Sequence, residues 1–501
     1  MAKLTPEDVL HLSETIENVY IKIVDALLIN MAKHFKGDKA LPLNEWELKK
    51  LSELGQLNKE SVAIIAKLAG SNPELVESVL NDAALLATRD VEEDLKKGVK
   101  LGKVKPPSGA NVLASASIVN ALKAFEEQSI DKLNLVNTTM LKSTLEQFRK
   151  VITNTANIER QMQAVQDILN TQTGKVITGV SSRTEALRQA LSQIHKEGIT
   201  GFIDKAGRKW TPEAYVNMDI RTTVHNTAIE SVKIRQEDYG VDIFRVSRHS
   251  GARPLCYPYQ GRYFSWNNSS GTFYDGEGKQ HRYYPIFSTS YGKPAGLFGI
   301  NCGHHPITII PGVSIPRDRD VENKEENDKI YKISQEQRKL EREIRYSKQK
   351  AAMLEAAGDR EGFEKEAVKI KQKQADYNAF CKATGRTKRL DRTQVFEYNK
   401  SVSSKATAAT RSIVSSDGIS VKKTSHSITQ AVKRNITNDQ IADTLKNPLN
   451  ITDVKYDSQG RPSKKYIGEK ATVAVNPENG NIVTVHGTHT KLLNKLKGEK
   501  K

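Results

Sequence analysis

Among the side chains from His249 to His305 that carry sulfur or imidazole donors are His249, Cys256, Cys302, His304 and His305. Thiolate and imidazole are the ligands zinc prefers, and four of them converging would close a tetrahedral site, with His249, Cys256, Cys302 and His304 as the candidate set. Structural zinc usually sits between two Cys-x-x-Cys or His-x-x-x-His knuckles, whereas here His249 and Cys256 are seven residues apart and Cys302 and His304 two. The same residues admit a reading without any cofactor, in which Cys302 is a buried thiol and His304 hydrogen-bonds the backbone of nearby glycine loops. Cys302 and His304 also have the residue types of a nucleophile and its base, but no third group in the sequence orients the imidazole.

These side chains have to be positioned by a segment unlike its surroundings. The runs SGARPLCYPYQGRYFSWNNSSG and YPIFSTSYGKPAGLFGINCGHHPITIIPG are dense in glycine, proline and aromatics. Such a composition builds turns and short strands, shaped by glycine's access to positive φ and proline's fixed φ. Residues 241–317 therefore read as an irregular α+β module. Just upstream, Thr211-Pro212-Glu213 has the pattern of an N-cap with proline in the first turn, opening a helix that carries Arg221 and His225 four apart on one face. That face either packs as a polar surface on the next module or uses Arg221 to hold the module's carbonyls.

The flanks are helical in pattern. Val9, Ile16, Tyr20, Ile23 and Leu27, then Leu48, Leu51, Leu54 and Leu57, recur at helical spacing, and residues 1–240 read as mainly α. Ser71-Asn72-Pro73-Glu74 marks a helix start, and the basic KKGVKLGKVKPPSGA (96–110) a break. Residues 318–400 form a charged arm, a long helix or helical hairpin with Ile333, Leu340, Ile344, Ala351 and Leu354 at heptad-like spacing. Ser, Thr and Ala dominate 401–420, which reads as a linker isolating 421–501. Within 421–501, a pair of helices precedes strands at Lys465–Ile467, Ala471–Val475 and Ile482–His486, a compact α+β domain. The expected fold class is multidomain: mainly α N-terminal and central regions, an irregular glycine-rich α+β module, and a small C-terminal α+β domain of two helices and an antiparallel sheet.

From His249 to Gly312 the chain resembles the minor capsid proteins of tailed phages, the head-morphogenesis group related to the Mu F protein. The resemblance rests on Gly251-Ala252-Arg253-Pro254, Gln260-Gly261, Tyr291-Gly292, Gly296-Leu297, Gly299, Asn301-Cys302, His304 and Pro311-Gly312. It extends to Arg221-Thr222-Thr223 and Asn226 upstream, and to Arg338, Glu341-Arg342, Ile344-Arg345 and Thr384-Gly385-Arg386 downstream, over roughly residues 1–400. Cys256 departs from the pattern, standing where a histidine or another polar residue is expected. The resemblance implies a structural protein of the phage head, near the portal, contacting portal, scaffold or major capsid protein, assembled in the host bacterial cytoplasm and carried in the virion.

The formal net charge of +18 is concentrated at one end: Thr387–Lys501 holds 21 Lys and Arg against 10 Asp and Glu. A basic domain attracts RNA or DNA through phosphate without reading sequence. Residues 421–497 resemble the metal-independent ribonucleases grouped as barnase, EndoU, colicin and RelE-like folds, on the helical His426, Arg434, the Lys464-Lys465-Tyr466 strand and the Ile482–Val485 strand. The resemblance implies an endoribonuclease, toxin-like in character. His426 would take the 2′-hydroxyl proton, with His486 the rival base, Arg434 and Lys464 or Lys465 would face the phosphorane, and Thr484 would orient a phosphate oxygen. The alternative is a non-catalytic module that holds packaged DNA.

Composition narrows the remaining classes. Hydrophobic residues make up 37% and charged residues 27% of 501, and no apolar run is long enough to suggest a membrane span. MAKLTPEDVLHL lacks an apolar core, so no secretory signal is expected. Three cysteines, Cys256, Cys302 and Cys381, fit a reducing compartment.

Overall fold

A computed structural model describes residues 6–38, 40–106, 112, 115–173, 183–316 and 323–498. The end of the expected basic connector (107–110) and the start of the expected arm (318–322) lie outside the described residues. The chain is mostly helical, with small sheets in its C-terminal half. The helices are α1 (Pro6–Lys33), α2 (Leu43–Ser52), α3 (Leu54–Ala69), α4 (Asn72–Lys100), α5 (Ala116–Thr173), α6 (Arg183–Glu197), α7 (Pro212–Asp238), α8 (Lys324–Ala356), α9 (Arg360–Thr384), α10 (Lys400–Thr410), α11 (Ser425–Lys433), α12 (Asn438–Lys446) and α13 (Thr490–Leu496). Two compact units divide them, one of residues 1–27, 58–146 and 198–338, the other of residues 28–57, 147–197 and 339–501.

In the first unit, helical spacing translates directly into burial: Val9, Ile16, Tyr20, Ile23 and Leu27 of α1 are all in the core. The Tyr20 hydroxyl donates to Asn137 Oδ1 at 3.0 Å and accepts from Asn72 Nδ2 at 3.1 Å. Along α4 and α7, Ala87, Val91 and Leu95 pack with Ala228, Val232 and Tyr239. A short hairpin of β1 (Phe202–Ile203) and β2 (Lys209–Trp210) precedes α7. Beyond α7, strands β3 (Ile243–Val246), β4 (Tyr263–Ser265), β5 (Gly271–Tyr274), β6 (Gln280–Pro285) and β7 (Pro306–Thr308) form one sheet in the order β5-β6-β4-β3-β7. Only the β4–β6 pair in this sheet is parallel. Phe244, Val246, Phe264, Trp266, Leu297 and Phe298 fill the space over it, so a loop-rich segment still acquires an aromatic core.

The second unit shows where apolar spacing misleads. Leu48 and Leu51 of α2 are exposed, 70% and 44%, and the buried face is instead Trp46 and Lys50. Trp46 packs on Phe35 and under the Arg183 guanidinium. The Lys50 ammonium is satisfied by the His34 carbonyl at 2.5 Å, Glu53 at 2.9 Å and Asp38 at 3.1 Å. A cation with three acceptors in place can be buried, and a hydrophobicity pattern cannot reveal that.

Helices α8 and α9 form the expected hairpin, turning through Gly358 at φ +68°. Asp359 caps α9 by accepting from Gly362 N at 3.0 Å and takes a two-point contact from Arg188 at 2.5 and 2.7 Å. Gly362 leaves room for this, since a Cβ there would lie 2.4 Å from the Asp359 carboxylate.

The expected linker is replaced by structure. Residues 400–410 are α10, whose Ala406 and Ala409 pack on Phe363, Ala367 and Ile370 of α9, and β8 (Ile413–Val414) pairs with β9 (Ser420–Val421). Small residues at helical spacing make a flat face that needs no large apolar side chain, which is why composition reads as a linker. Nor is the last domain isolated, because the first turns of α9 hold it. Arg360 donates to the Ile436 carbonyl at 3.0 Å, Thr429 to Glu361 at 2.8 Å and Asn438 to Glu364 at 3.0 Å.

In the C-terminal domain, capping boxes at Thr424 and Thr437 start α11 and α12. Strands β10 (Asn450–Ile451), β11 (Lys455–Tyr456), β12 (Pro462–Ile467), β13 (Ala471–Val475) and β14 (Ile482–Gly487) form an antiparallel sheet, ordered β10-β12-β13-β14 with β11 on β12. Ala431, Ile436, Ile441 and Leu445 pack on Tyr466, Val473, Val475 and Val485.

Lys423 is buried beside Glu364 at 4.0 Å and donates to Asn438, and burial pulls its pKa down to about 8. Between that value and the ordinary lysine value the unfolded chain binds more protons than the folded one, so this group makes stability rise with pH. From about pH 7.5 to about pH 9.5 the native protein should gain about 2 kcal/mol relative to Lys423→Met, read from urea denaturation of both.

Candidate functional site

The Cys/His cluster is assembled by loops that the β3–β7 sheet brings back over itself. Gly296 is forced to be glycine, since a Cβ there would lie 1.8 Å from the Ser290 carbonyl oxygen, and a Cβ on Gly299 would collide with the Lys293 and Pro294 carbonyls. In this tight loop Phe298 and Asn301 adopt φ of +59° and +57°. The Phe298 ring is thereby placed among Phe244, Trp266 and Tyr291. Arg253 holds the loop from outside, donating to the Ile300 carbonyl at 2.7 Å and the Gly296 carbonyl at 3.3 Å. On the other flank Asn327 accepts from Ala252 N and donates to Ala252 O, both at 2.8 Å.

These contacts place Cys256 Sγ 3.8 Å from Cys302 Sγ, and Cys302 Sγ 3.3 Å from His304 Nδ1. All three donors are buried and lie within 4.8 Å of one another. The His249 ring stands 4.3 Å from the His304 ring, its Nδ1 3.1 Å from the Ser250 carbonyl. His305 lies aside, its backbone paired with Ser247. Cys256 and Cys302 share a hydrogen bond, and this bond with the nearby His304 holds the Cys302 thiol well below its ordinary range despite burial. The same bond, with desolvation, pushes Cys256 up. Burial holds His225 and His249 below the ordinary histidine value. Of the five residues named from the sequence, three converge and His249 adjoins them.

The module is tied to α7 by His225, whose Nε2 bonds the His304 carbonyl at 2.7 Å. Sequence spacing offered Arg221 for this role, one turn away on the same face. With Cys302 and His304 almost wholly enclosed, no substrate can reach the pair, so a nucleophile–base role does not fit.

The C-terminal residues divide into two groups. Arg434, at the end of α11, donates to the Val485 carbonyl and lies 3.5 Å from Thr484 Oγ1. With His486, Thr488, His489 and Thr490 it lines an open cleft of about 630 Å³. The His486 and His489 rings are 6.3 Å apart. His426 sits exposed in the first turn of α11, eight residues before Arg434 and so about 12 Å along the axis. Lys465 is exposed in the cross-strand row Lys465–Ala474–Thr484, two strands from Thr484 and about 9.5 Å across the sheet. Lys464 is committed elsewhere, paired with Asp417. Burial raises the Asp417 pKa, but bonds from Lys464, Ser415 and Tyr466 outweigh it and bring it down to about 2. His489 is absent from the residues that sequence reasoning singles out, although its place three residues after His486, past the strand end, is a readable signal.

The family model described as Phage minor capsid protein 2 matches residues 4–382, about three quarters of the chain and all of the Cys/His module. The chain belongs to this family. Among curated relatives of this minor capsid protein, a "Structural protein" of Lactococcus phage LL-H is 28% identical over 323 residues, covering 64% of this chain and 80% of the relative. A "Structural protein" of Lactococcus phage mv4 is 36% identical over 78 residues, 16% of this chain and 63% of the relative. No solved structure matches. The family match ends before the C-terminal cleft. No helix among the described residues of this minor capsid protein is long and apolar enough to cross a membrane.

Gly296→Ala should destabilise the module by about 3 kcal/mol, because its Cβ meets backbone that cannot yield. Gly292, with no atom within 4 Å of a Cβ and φ +82°, should lose only about 1 kcal/mol as Ala. Thermal unfolding of the two variants side by side checks the difference.

Proposed function

We propose that this minor capsid protein acts at the portal vertex during head assembly, contacting portal, scaffold or major capsid protein, and that its C-terminal domain cleaves RNA without a metal. The family match over residues 4–382 supports the head role. The observation that carries the RNA-cleaving role is one open cleft lined by Arg434, His486 and His489, with Thr484 3.5 Å from the Arg434 guanidinium. Assembly takes place in the host cytoplasm, and the protein enters the virion with the head.

In the cleft, His486 takes the proton of a 2′-hydroxyl, whose oxygen attacks the adjacent phosphorus. The bond from phosphorus to the 5′-oxygen breaks, and His489 delivers a proton to that oxygen, leaving a 2′,3′-cyclic phosphate and a 5′-hydroxyl. Arg434, pinned by the Val485 carbonyl, faces the charge that builds on the phosphorane, and Thr484 orients a non-bridging oxygen. His486, rather than His426, is the base in this reading, because it shares the cleft with Arg434.

Full-length protein in excess chelator should cleave RNA to cyclic-phosphate ends. His486→Ala and His489→Ala should each reduce the rate about 10²-fold or more, while His426→Ala should leave it near the native value. Binding of RNA and DNA alike that weakens steeply with salt, with no cleavage, would make the domain a holder of packaged nucleic acid instead. Procapsids purified without the protein would refute the head role.

A further inference from the structure

We propose that Cys256, Cys302, His304 and His249 bind one structural zinc ion that closes the glycine-rich module. The geometry is that of a tetrahedral site. With zinc–sulfur bonds of about 2.3 Å, two coordinating sulfurs stand about 3.8 Å apart, and a sulfur and an imidazole nitrogen about 3.6 Å. Cys256 and Cys302 are 3.8 Å apart and Cys302 and His304 Nδ1 3.3 Å. Two edges of a tetrahedral face thus lie near their coordinated lengths, and all three donors are within 4.8 Å of one another.

The fourth donor is His249. Its Nδ1 faces the Ser250 carbonyl at 3.1 Å, an arrangement that puts the ring proton on Nδ1 and leaves the Nε2 lone pair for a cation. Nε2 is buried and has no hydrogen-bond partner, although its ring stands 4.3 Å from His304. His225 supports the site from behind through the His304 carbonyl.

Chemistry selects the ion. Two sulfurs and two imidazoles favour zinc over the oxygen-seeking magnesium and calcium. On binding, both thiols release their protons, and the two thiolates neutralise the ion's two positive charges, so the buried site carries no net charge. Four protein donors in an enclosed core leave no open position for substrate, which makes the ion structural. It links the turn after Arg253 to the segment entering β7, 46 residues later. The folded module then depends on metal, although its strands and aromatic core are its own.

The test uses full-length protein from zinc-supplemented cells. One zinc per chain is expected by elemental analysis, and cobalt exchanged into the site should give the intense visible absorption of tetrahedral thiolate coordination. Chelator should lower the thermal midpoint of the native protein. Cys256→Ser and Cys302→Ser should lose the metal, His249→Ala should hold it more weakly, and Cys381→Ser should keep full stoichiometry. If the cysteine variants fail to fold, the native protein's cobalt spectrum decides. Folded native protein with no zinc and no cobalt band overturns the proposal. So does loss of two titratable thiols in denaturant without reductant, which would make Cys256–Cys302 a disulfide.

Discussion

The glycine-rich module depends on one close approach of backbone to backbone. Gly296 lies so near the Ser290 carbonyl that no side chain fits, and Arg253 clasps the resulting loop by two of its carbonyls. Remove that approach and Leu297 and Phe298 leave the aromatic core, while Cys302 moves away from Cys256. Left-handed backbone at Phe298 and Asn301 is the local penalty, about 1–2 kcal/mol for each residue, offset by burial of the Phe298 ring. Such strain persists only where the surroundings over-determine it, and here a hydrogen-bonded arginine, a packed ring and a sulfur pair all do so.

A comparable junction organises the second unit. The first turns of α9 receive Arg188 on Asp359 and Glu361, then Thr429, Asn438 and Lys423 on Glu361 and Glu364. Burial raises the Glu361 pKa, but bonds from Lys365, Thr429 and Arg188 outweigh it and bring it down to about 2. The helix N-terminus adds favourable potential for these acids. The C-terminal domain is therefore held to α9 by specific polar contacts, and a cleft built from its own residues is carried on a fixed base.

How much of this was legible follows from the kind of interaction involved. The α1 stripe, the proline-led start of α7 and the three C-terminal strands could be read because each is decided by local periodicity or capping. Leu48 and Leu51 misled because a buried lysine with three acceptors took the core face of α2. The Ser/Thr/Ala segment misled because Ala406 and Ala409 need only a neighbour at close range, which composition does not announce. For the site, residue type named Cys256, Cys302 and His304. Spacing argued against them as zinc ligands, since ligand spacing rules describe knuckles and this cluster is made by two distant loops.

The sequence by itself determined the periodic helices, the turn-rich character of residues 249–312 and the excess of basic charge at the C-terminal end, all properties carried by neighbouring residues. It also held the resemblance to a phage minor capsid protein, which the family match over residues 4–382 bears out. Only the tertiary structure decided that two sulfurs separated by 46 residues meet at 3.8 Å, and that His225 grips the module through the His304 carbonyl. It alone put Arg434 beside Thr484 and His486, with His426 on another turn of the helix. Those outcomes depend on which loops close on which strands, a matter of packing between distant segments that no local pattern encodes.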